Sequence, residues 1–248
     1  MKKLSILILA AVFMLTGSKM QAQTNVYFHL SAAIPTGDFA DGNIYDNGTD
    51  WALVTDAISR YGGAGIGFNA GFKFNIATGV KGLSAMITLD GIYNGLNSDF
   101  HDSFEDIEDN YNNSFTTPKY INIPIMAGIN YTYHVNSKFG LFAEGGIGPN
   151  LLLITQYEET YQNNYISSKP IITTTIEYKP TISFAYQIGT GIELGKKITI
   201  GVNFYKLGTS RIKGRYTKEE NNSVISTHQI KCGRINPTMV MLNVGFKL

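Results

Sequence analysis

The feature that most constrains the fold is a strict two-residue alternation of apolar side chains with small or polar ones. Successive side chains of a β-strand point to opposite faces, so this alternation predicts strands with one apolar face. Eight such runs follow residue 23. The clearest run places six apolar residues on one face, which are Ile66, Phe68, Ala70, Phe72, Phe74 and Ile76.

The connections between the runs alternate in length. Long polar segments cover residues 35–62, 97–118, 155–178 and 208–236, whereas the short joins lie near residues 78–82, 134–137 and 195–197. Membrane barrels that run up and down have short periplasmic turns and longer extracellular loops. With both ends in the periplasm, all four long segments fall outside the cell. We therefore predict an all-β, eight-stranded antiparallel up-and-down transmembrane β-barrel with long extracellular loops and short periplasmic turns.

A soluble exported barrel or sandwich is the alternative interpretation of the same alternation. Such a protein needs charged residues on its second face, whereas here that face carries mainly Gly, Ser, Asn and Thr. Only 16% of the 248 residues are charged, and 26 are Gly. Small side chains fit the narrow interior of an eight-stranded barrel. The apolar face is therefore predicted to meet lipid.

The first 22 residues have the pattern of an export signal. Lys2 and Lys3 precede an apolar run that is shorter than the roughly 20 residues of a membrane-spanning helix. Small residues then lead to a cleavage site, which we place after Ala22. We predict a signal peptide over residues 1–22 and a mature outer-membrane β-barrel domain over residues 23–248.

Charge and cysteine content exclude two further classes of protein. The formal net charge is +1, which gives no electrostatic reason to expect a nucleic-acid partner. The single cysteine, Cys232, has no partner for an internal disulfide, so the chain is not a disulfide scaffold.

Three segments resemble an outer-membrane β-barrel family that is abundant in Bacteroidota and often labelled porin-like. They are the opening strand and turn from Asn25 to Phe39, the strand from Tyr186 to Leu194, and the closing Val244-Gly245-Phe246-Lys247-Leu248. The resemblance implies a location in the cell outer membrane. The closing segment is similar to an assembly signal, which implies contact with the barrel-assembly machinery. The resemblance implies no biochemical activity.

Five charged residues fall on the inward phase of the predicted strands, and they are Lys73, Asp90, Glu144, Glu193 and Lys247. An unpaired charge inside a narrow barrel is costly, so we predict that they form an internal network of ion pairs and hydrogen bonds. In the alternative interpretation they line a small conduit. An eight-stranded barrel has room for side chains and little else, which disfavours a conduit.

A lipid-modifying enzyme is the other alternative, because such enzymes also use eight-stranded barrels. His29 and Ser31 share one face of the first strand, as a base and a nucleophile would. Their phase is inward, however, away from lipid substrates. We therefore predict no catalytic residue and no cofactor, and we expect His29 to belong to a lumenal polar network.

The segment between residues 97 and 117 is strongly acidic. Asp99, Asp102, Asp106 and Asp109 are candidate ligands for Ca²⁺ or Mg²⁺, since both ions prefer oxygen ligands. Their spacing lacks the order of a calcium-binding loop. Charge runs are usually solvent-facing, so we predict a solvated acidic loop.

Two further loops carry predictions of their own. The fifth and sixth strands keep their phase beyond the membrane, which predicts a protruding hairpin that a neighbouring loop or a partner steadies. The last long loop is basic, and an unbroken phase from the seventh strand turns Arg211, Lys213 and Arg215 inward, over the mouth and towards the acidic loop. A rival interpretation, in which these cations bind lipopolysaccharide phosphates, requires the outward phase.

Three functional hypotheses follow. The first is a structural or interaction scaffold with a plugged narrow lumen that binds partners through its extracellular loops, because loops on a rigid scaffold carry recognition. The second is an accessory subunit of an envelope machine for secretion or barrel assembly. The third is a small-solute conduit or a lipid-modifying enzyme. The expected partners are outer-membrane lipid and lipopolysaccharide, another envelope protein, and the barrel-assembly machinery through the C-terminal strand.

Overall fold

The computed structural model of the protein describes residues 24–40, 63–98, 113–162 and 170–248. The predicted signal peptide lies outside these ranges. The described ranges contain thirteen strands and a short 3-10 turn at Gly37–Phe39. The strands are β1 (Thr24–Pro35), β2 (Gly67–Ala77), β3 (Leu83–Asn94), β4 (Asn113–Thr116), β5 (Tyr120–His134), β6 (Phe139–Ile154), β7 (Tyr157–Gln162), β8 (Ile171–Tyr178), β9 (Thr181–Leu194), β10 (Ile198–Lys206), β11 (Ser210–Glu220), β12 (Ser223–Ile235) and β13 (Thr238–Lys247). In these ranges no helix has both the length and the apolar character needed to cross a membrane.

Eight of the strands close into an antiparallel barrel in the order β1-β2-β3-β5-β6-β9-β10-β13, and β13 pairs with β1 to complete the ring. Each barrel strand therefore pairs with the barrel strands that precede and follow it in the chain. Short turns join β2 to β3, β5 to β6 and β9 to β10, while the other connections are long. The predicted fold class is confirmed.

The alternation of the sequence gives the barrel wall an apolar outside and a mainly polar inside. Along β2, Phe68 and Phe72 are 59% and 41% exposed, whereas Asn69 and Lys73 are 1% and 7% exposed. The apolar band continues around the barrel through residues such as Ile188. A continuous apolar surface of this kind matches the lipid-facing band of a membrane barrel.

Three of the long loops fold into a second sheet beyond the barrel, at the end where the long connections lie. Its strand order is β12-β11-β8-β7-β4, and we call this five-stranded sheet the platform. Strands β7 and β8 form a protruding hairpin, as the sequence predicts. The predicted continuation of the barrel phase into it is wrong, because Ile182 is exposed on the lipid-facing side whereas Ile176 is buried. A two-stranded ribbon alone is marginal in water, and here β4 and β11 from neighbouring loops pair with its two sides.

The barrel interior has two layers. Towards the platform, a buried apolar cluster fills the mouth, and its members include Ala33, Phe39, Ile92, Tyr120, Met126, Leu152, Leu207, Ile212, Ile235, Met239 and Met241. The 3-10 turn after β1 delivers Phe39 to this cluster, where its ring packs edge-on against Tyr120 at a centroid distance of 5.3 Å. We call this cluster the mouth cluster. Towards the short turns, the inward side chains are mostly polar or charged.

Candidate functional site

The centre of the polar layer is a buried ion pair between Lys73 on β2 and Glu144 on β6. The Lys73 ammonium lies 2.9 Å from a Glu144 carboxylate oxygen. The amide groups of Asn130 and Asn203 donate hydrogen bonds to the same carboxylate at 3.1 and 2.7 Å. Glu144 thus joins side chains from four strands across the lumen, and its charge is fully paired, as a buried charge requires.

A second polar group surrounds Asp90 on β3. The Nε2 atom of His29 lies 2.6 Å from its carboxylate, and Asn69 and Tyr205 donate hydrogen bonds to it at 3.0 and 3.2 Å. The hydroxyl of Ser31 donates to Asn243. In the described part of the chain no hydrogen bond joins Ser31 to His29, so these two side chains do not form a nucleophile–base pair.

The other two predicted lumenal charges lie nearer the short turns. Glu193 accepts a hydrogen bond from the Tyr27 hydroxyl at 3.3 Å, and one of its oxygens lies 3.4 Å from Nε2 of His134. Lys247, on β13, lies opposite Tyr27 of β1 and is half-buried. Among the described residues Lys247 has no ion-pair partner.

A small cavity lies in the middle of the barrel, beside Lys73 and Glu144. Its volume is about 20 Å³, which is room for about one water molecule. The Phe142 ring lies 4.9 Å from the Lys73 ammonium and packs against the backbone of Gly191 and Gly201. An aromatic ring over two glycines occupies space that larger residues on those strands would otherwise fill.

The predicted inward orientation of Arg211, Lys213 and Arg215 is wrong. All three side chains are exposed, whereas the alternating residues Ser210, Ile212 and Gly214 are buried. The phase inverts because the chain leaves the barrel at Leu207–Thr209, where Gly208 adopts a φ of +78° and interrupts the strand. The three cations therefore point away from the barrel axis, and the buried residues of β11 extend the mouth cluster.

Residues 99–112 of the acidic loop lie outside the described residues, and with them the candidate metal ligands Asp99, Asp102, Asp106 and Asp109. The predicted contact between this loop and the basic loop stays untested. Within the described ranges, no group of three or more His, Cys, Asp or Glu side chains is placed to hold a metal ion.

The inner face of the platform is an apolar surface. Tyr157 and Ile176 are buried there, and Leu96, Phe115, Tyr178, Tyr216 and Ile230 pack against them. Glu159 is buried on the same face and accepts a hydrogen bond from the Tyr157 hydroxyl at 3.4 Å. Burial raises the pKa of the Glu159 carboxyl, although the Tyr157 hydrogen bond and the charge of Lys218 oppose this shift.

The outer face of the platform is polar and carries cations at its base. Arg211 lies opposite Arg234, and Lys213 lies opposite Lys231. Farther from the barrel the face is lined by threonines, of which Thr175, Thr217 and Thr227 form one row across three strands. The platform thus has an apolar side towards the barrel axis and a basic and hydroxylated side towards the surroundings.

The mouth cluster is not among the features that the sequence predicts. Met126, Met239 and Met241 lie on the inward phase of their strands, where the preceding and following residues face lipid. Three apolar residues on the inward phase, all close to the long loops, are a signal that this end of the lumen is apolar. The role of Phe39 carries no such signal, because it follows the strand and lies in a loop.

Comparisons with known proteins agree with this architecture. The family model of the outer membrane protein beta-barrel domain matches residues 6–233. The crystal structure of a major outer membrane protein from Thermus thermophilus is 8% identical with a TM-score of 0.50, covering 91% of this chain and 100% of that one. The outer membrane protein OprG from Pseudomonas aeruginosa is 10% identical with a TM-score of 0.44, covering 92% of this chain and 96% of that one. No curated protein sequence matches the chain.

Proposed function

Because the chain belongs to the outer membrane protein beta-barrel domain family, we propose that it is a non-conducting scaffold that uses the platform to bind a partner outside the cell. The observation that carries this proposal is the pairing of strands from three extracellular loops into one sheet. A paired sheet is ordered before a partner arrives, which lowers the entropy cost of binding. The partner would be another envelope protein or an external surface.

The filling of the lumen supports the non-conducting part of the proposal. The mid-barrel cavity of about 20 Å³ is far too small for a continuous water path. The hydrogen bonds at Glu144 and Asp90 keep the polar side chains in place. Barrels that conduct water and solutes freely have about 16 strands, so a barrel of this size suits a structural role.

The lumenal contacts also favour a structural role over catalysis. His29 is bound to Asp90, and Ser31 is bound to Asn243. A nucleophilic mechanism needs a base in contact with the nucleophile. The contacts that these side chains make are instead hydrogen bonds within the lumenal polar network.

The edge of the platform favours a protein as the partner. In the described residues β12 pairs only with β11, so its other side offers free backbone N–H and C=O groups. Val224 and Ile225 on this strand are 61% and 52% exposed. An exposed edge strand with apolar side chains is suited to pairing with an added strand.

Photocrosslinking in intact cells tests the proposal. A photoreactive amino acid replaces Ile225 at the platform edge, and a control variant carries it at Val80, which is similarly exposed in the periplasmic turn between β2 and β3. We expect a discrete crosslinked protein from the Ile225 position that the Val80 position does not give. If the Ile225 position gives no crosslinked species while Val80 does, the platform is not the binding surface.

A further inference from the structure

We propose that the base of the platform's outer face binds the phosphate groups of lipopolysaccharide in the outer leaflet. Six cations lie there, and we call them the basic patch: Lys179, Arg211, Lys213, Arg215, Lys231 and Arg234. In the described part of the chain, the one carboxylate in these rows is Glu177, 3.7 Å from Arg215. The inference rests on the proposed function only for the position of the platform outside the cell.

The direction of the basic patch follows from the burial of the residues that alternate with its members on β11. Ser210 and Ile212 are buried, and Ile212 belongs to the mouth cluster together with residues from the barrel interior. The side chains that alternate with them must then point away from the barrel axis. Arg211, Lys213 and Arg215 are exposed, as this direction requires.

A register shift places both strands' cations on one face. Between Ile212 and Lys213 the pairing of β11 with β12 skips one residue of β12. This extra residue changes the phase of β12, so Lys231 and Arg234 both face outward although they are three residues apart. Each then lies directly opposite a cation of β11.

The arrangement of the cations is unfavourable without an anion. Arg211 faces Arg234, and Lys213 faces Lys231. Lys179 lies beside Lys213, to whose carbonyl its backbone N–H donates at 2.9 Å, and its ammonium donates to Oε1 of Gln229 on β12 at 3.0 Å. Like charges directly opposite each other destabilise a sheet. A phosphate among these side chains would replace repulsion by charge-assisted hydrogen bonds, for which Arg is especially suited.

The height of the basic patch matches the head-group region of the outer leaflet. The Thr181 hydroxyl donates to the carbonyl of Arg211 at 3.5 Å, and the next residue, Ile182, is 74% exposed on the lipid-facing side. Ile182 follows Lys179 by three positions, which is about 10 Å along an extended chain. The basic patch therefore begins just above the apolar band.

The lipid-facing wall below the patch runs along β9 through Ile182, Phe184 and Tyr186, all of which are exposed. Ile182 is the member of this row that lies next to the patch. Lipopolysaccharide is the outer-leaflet lipid that carries phosphates at this level, and it is held in the membrane beside the wall. This position favours it over a soluble phosphate compound.

Native mass spectrometry of the purified protein in detergent tests the inference, with bis-phosphorylated lipid A and dephosphorylated lipid A as probes. The key variant combines Arg211→Glu, Lys213→Glu and Arg215→Glu. The control combines Lys81→Glu, Lys138→Glu and Lys197→Glu, which make the same charge change at exposed positions in the periplasmic turns. We expect wild type and control to retain bis-phosphorylated lipid A and the key variant to bind it about a hundredfold more weakly.

Several outcomes would overturn the inference. Equal retention of dephosphorylated lipid A would mean that the apolar wall alone binds the lipid. Equal retention of phosphatidylglycerol would mean a general attraction of anionic lipid, and displacement by millimolar inorganic phosphate would mean a soluble-phosphate site. Retention by the key variant equal to wild type would place the binding elsewhere.

A milder variant keeps the inference testable if the triple glutamate variant does not fold. If the triple glutamate variant does not show folded migration on an unheated gel, Arg211→Gln with Lys213→Gln is measured in its place and should also weaken binding. Platform crosslinking reports on the proposed function separately. Loss of the Ile225 crosslink with intact lipid A retention would overturn that proposal and leave this inference standing.

Discussion

At the scale of single residues, the pair of Lys73 and Glu144 connects opposite walls of the barrel. Glu144 on β6 receives hydrogen bonds from Lys73 on β2, Asn130 on β5 and Asn203 on β10. Both charged groups are buried. Each charge is tolerated inside the lumen because the other is present, so removing one leaves the other uncompensated.

Replacing Lys73 alone should therefore destabilise the protein strongly. We expect Lys73→Met to lower the free energy of unfolding by about 3–5 kcal/mol, because Glu144 stays charged and buried. The double variant Lys73→Met with Glu144→Gln should recover most of this loss. Urea unfolding in lipid vesicles, followed by circular dichroism, measures both. Additive losses in the double variant would show that the two side chains are not coupled.

A second residue-scale prediction concerns the lipid-facing wall. Phe72 lies near the middle of β2 and faces outward. We expect Phe72→Arg to cost about 2–4 kcal/mol in vesicles, because the charge is placed near the bilayer midplane. Val80→Arg, in the short turn, should change stability by less than about 0.5 kcal/mol. Equal effects in the same unfolding experiment would contradict the position of the membrane.

At the scale of elements, the transition from β10 to β11 determines how the platform is attached. Gly208 has a φ of +78°, and a Cβ there would overlap the carbonyl oxygen of Phe184. Leu207 is buried before the transition, and Ser210 is buried after it. The inward-facing residues are therefore odd-numbered up to Leu207 and even-numbered from Ser210 onwards. This inversion extends the mouth cluster into the platform and turns the basic patch outward.

Gly208→Ala should loosen the platform and spare the barrel. A non-glycine residue in this backbone region costs about 1–2 kcal/mol, and the contact with Phe184 adds to it. We expect faster hydrogen–deuterium exchange in β11 with unchanged exchange in β5 and β6. Gly95→Ala is the control, since a Cβ at Gly95 meets nothing within 4 Å. Unchanged exchange in β11 would show that the inversion does not depend on Gly208.

The buried carboxyl of Glu159 should make platform stability depend on pH. Its pKa is raised in the folded platform by burial, against the opposing effects of Tyr157 and Lys218. An acid whose folded pKa is raised stabilises the fold at low pH. That stability is lost as the pH rises from about 4.3, the ordinary value for Glu, to the folded pKa.

Hydrogen–deuterium exchange of β7 and β8, corrected for intrinsic rates, measures this effect. We expect stronger protection at pH 5 than at pH 7.5 in the wild type. Glu159→Gln should raise protection at pH 7.5 and remove the difference, since the amide does not ionise. Asp38→Asn, at a carboxyl in the exposed turn after β1, is the control. A wild type with weaker protection at pH 5 would contradict the assignment.

At the scale of the whole molecule, local sequence patterns predict the barrel but not the platform. The barrel strands alternate over ten or more residues, so their faces follow from the sequence alone. Pairing among β4, β7, β8 and β11 joins three different loops. The sequence of a short polar segment does not predict with which other segment it will pair. The inversion at Gly208 was missed because a glycine in a regular strand and one with positive φ look the same in a sequence.

The lumen shows the same division. The inward phase of Lys73, Glu144 and Asp90 is readable from the alternation, and the structure places these side chains inside. The choice of ion-pair partner depends on how strands on opposite walls are shifted relative to each other, and the sequence of one strand does not predict that shift. Lys247 illustrates this, because it has the inward phase yet no ion-pair partner among the described residues.

Single-channel recording in planar lipid bilayers tests whether the barrel conducts. Purified wild-type protein is reconstituted, and its insertion is verified by recovering folded, heat-modifiable protein from the same vesicles. We expect no steady conductance, because the mid-barrel cavity of about 20 Å³ lies beneath the apolar mouth cluster. A stable, reproducible conductance from inserted wild-type protein would contradict this expectation.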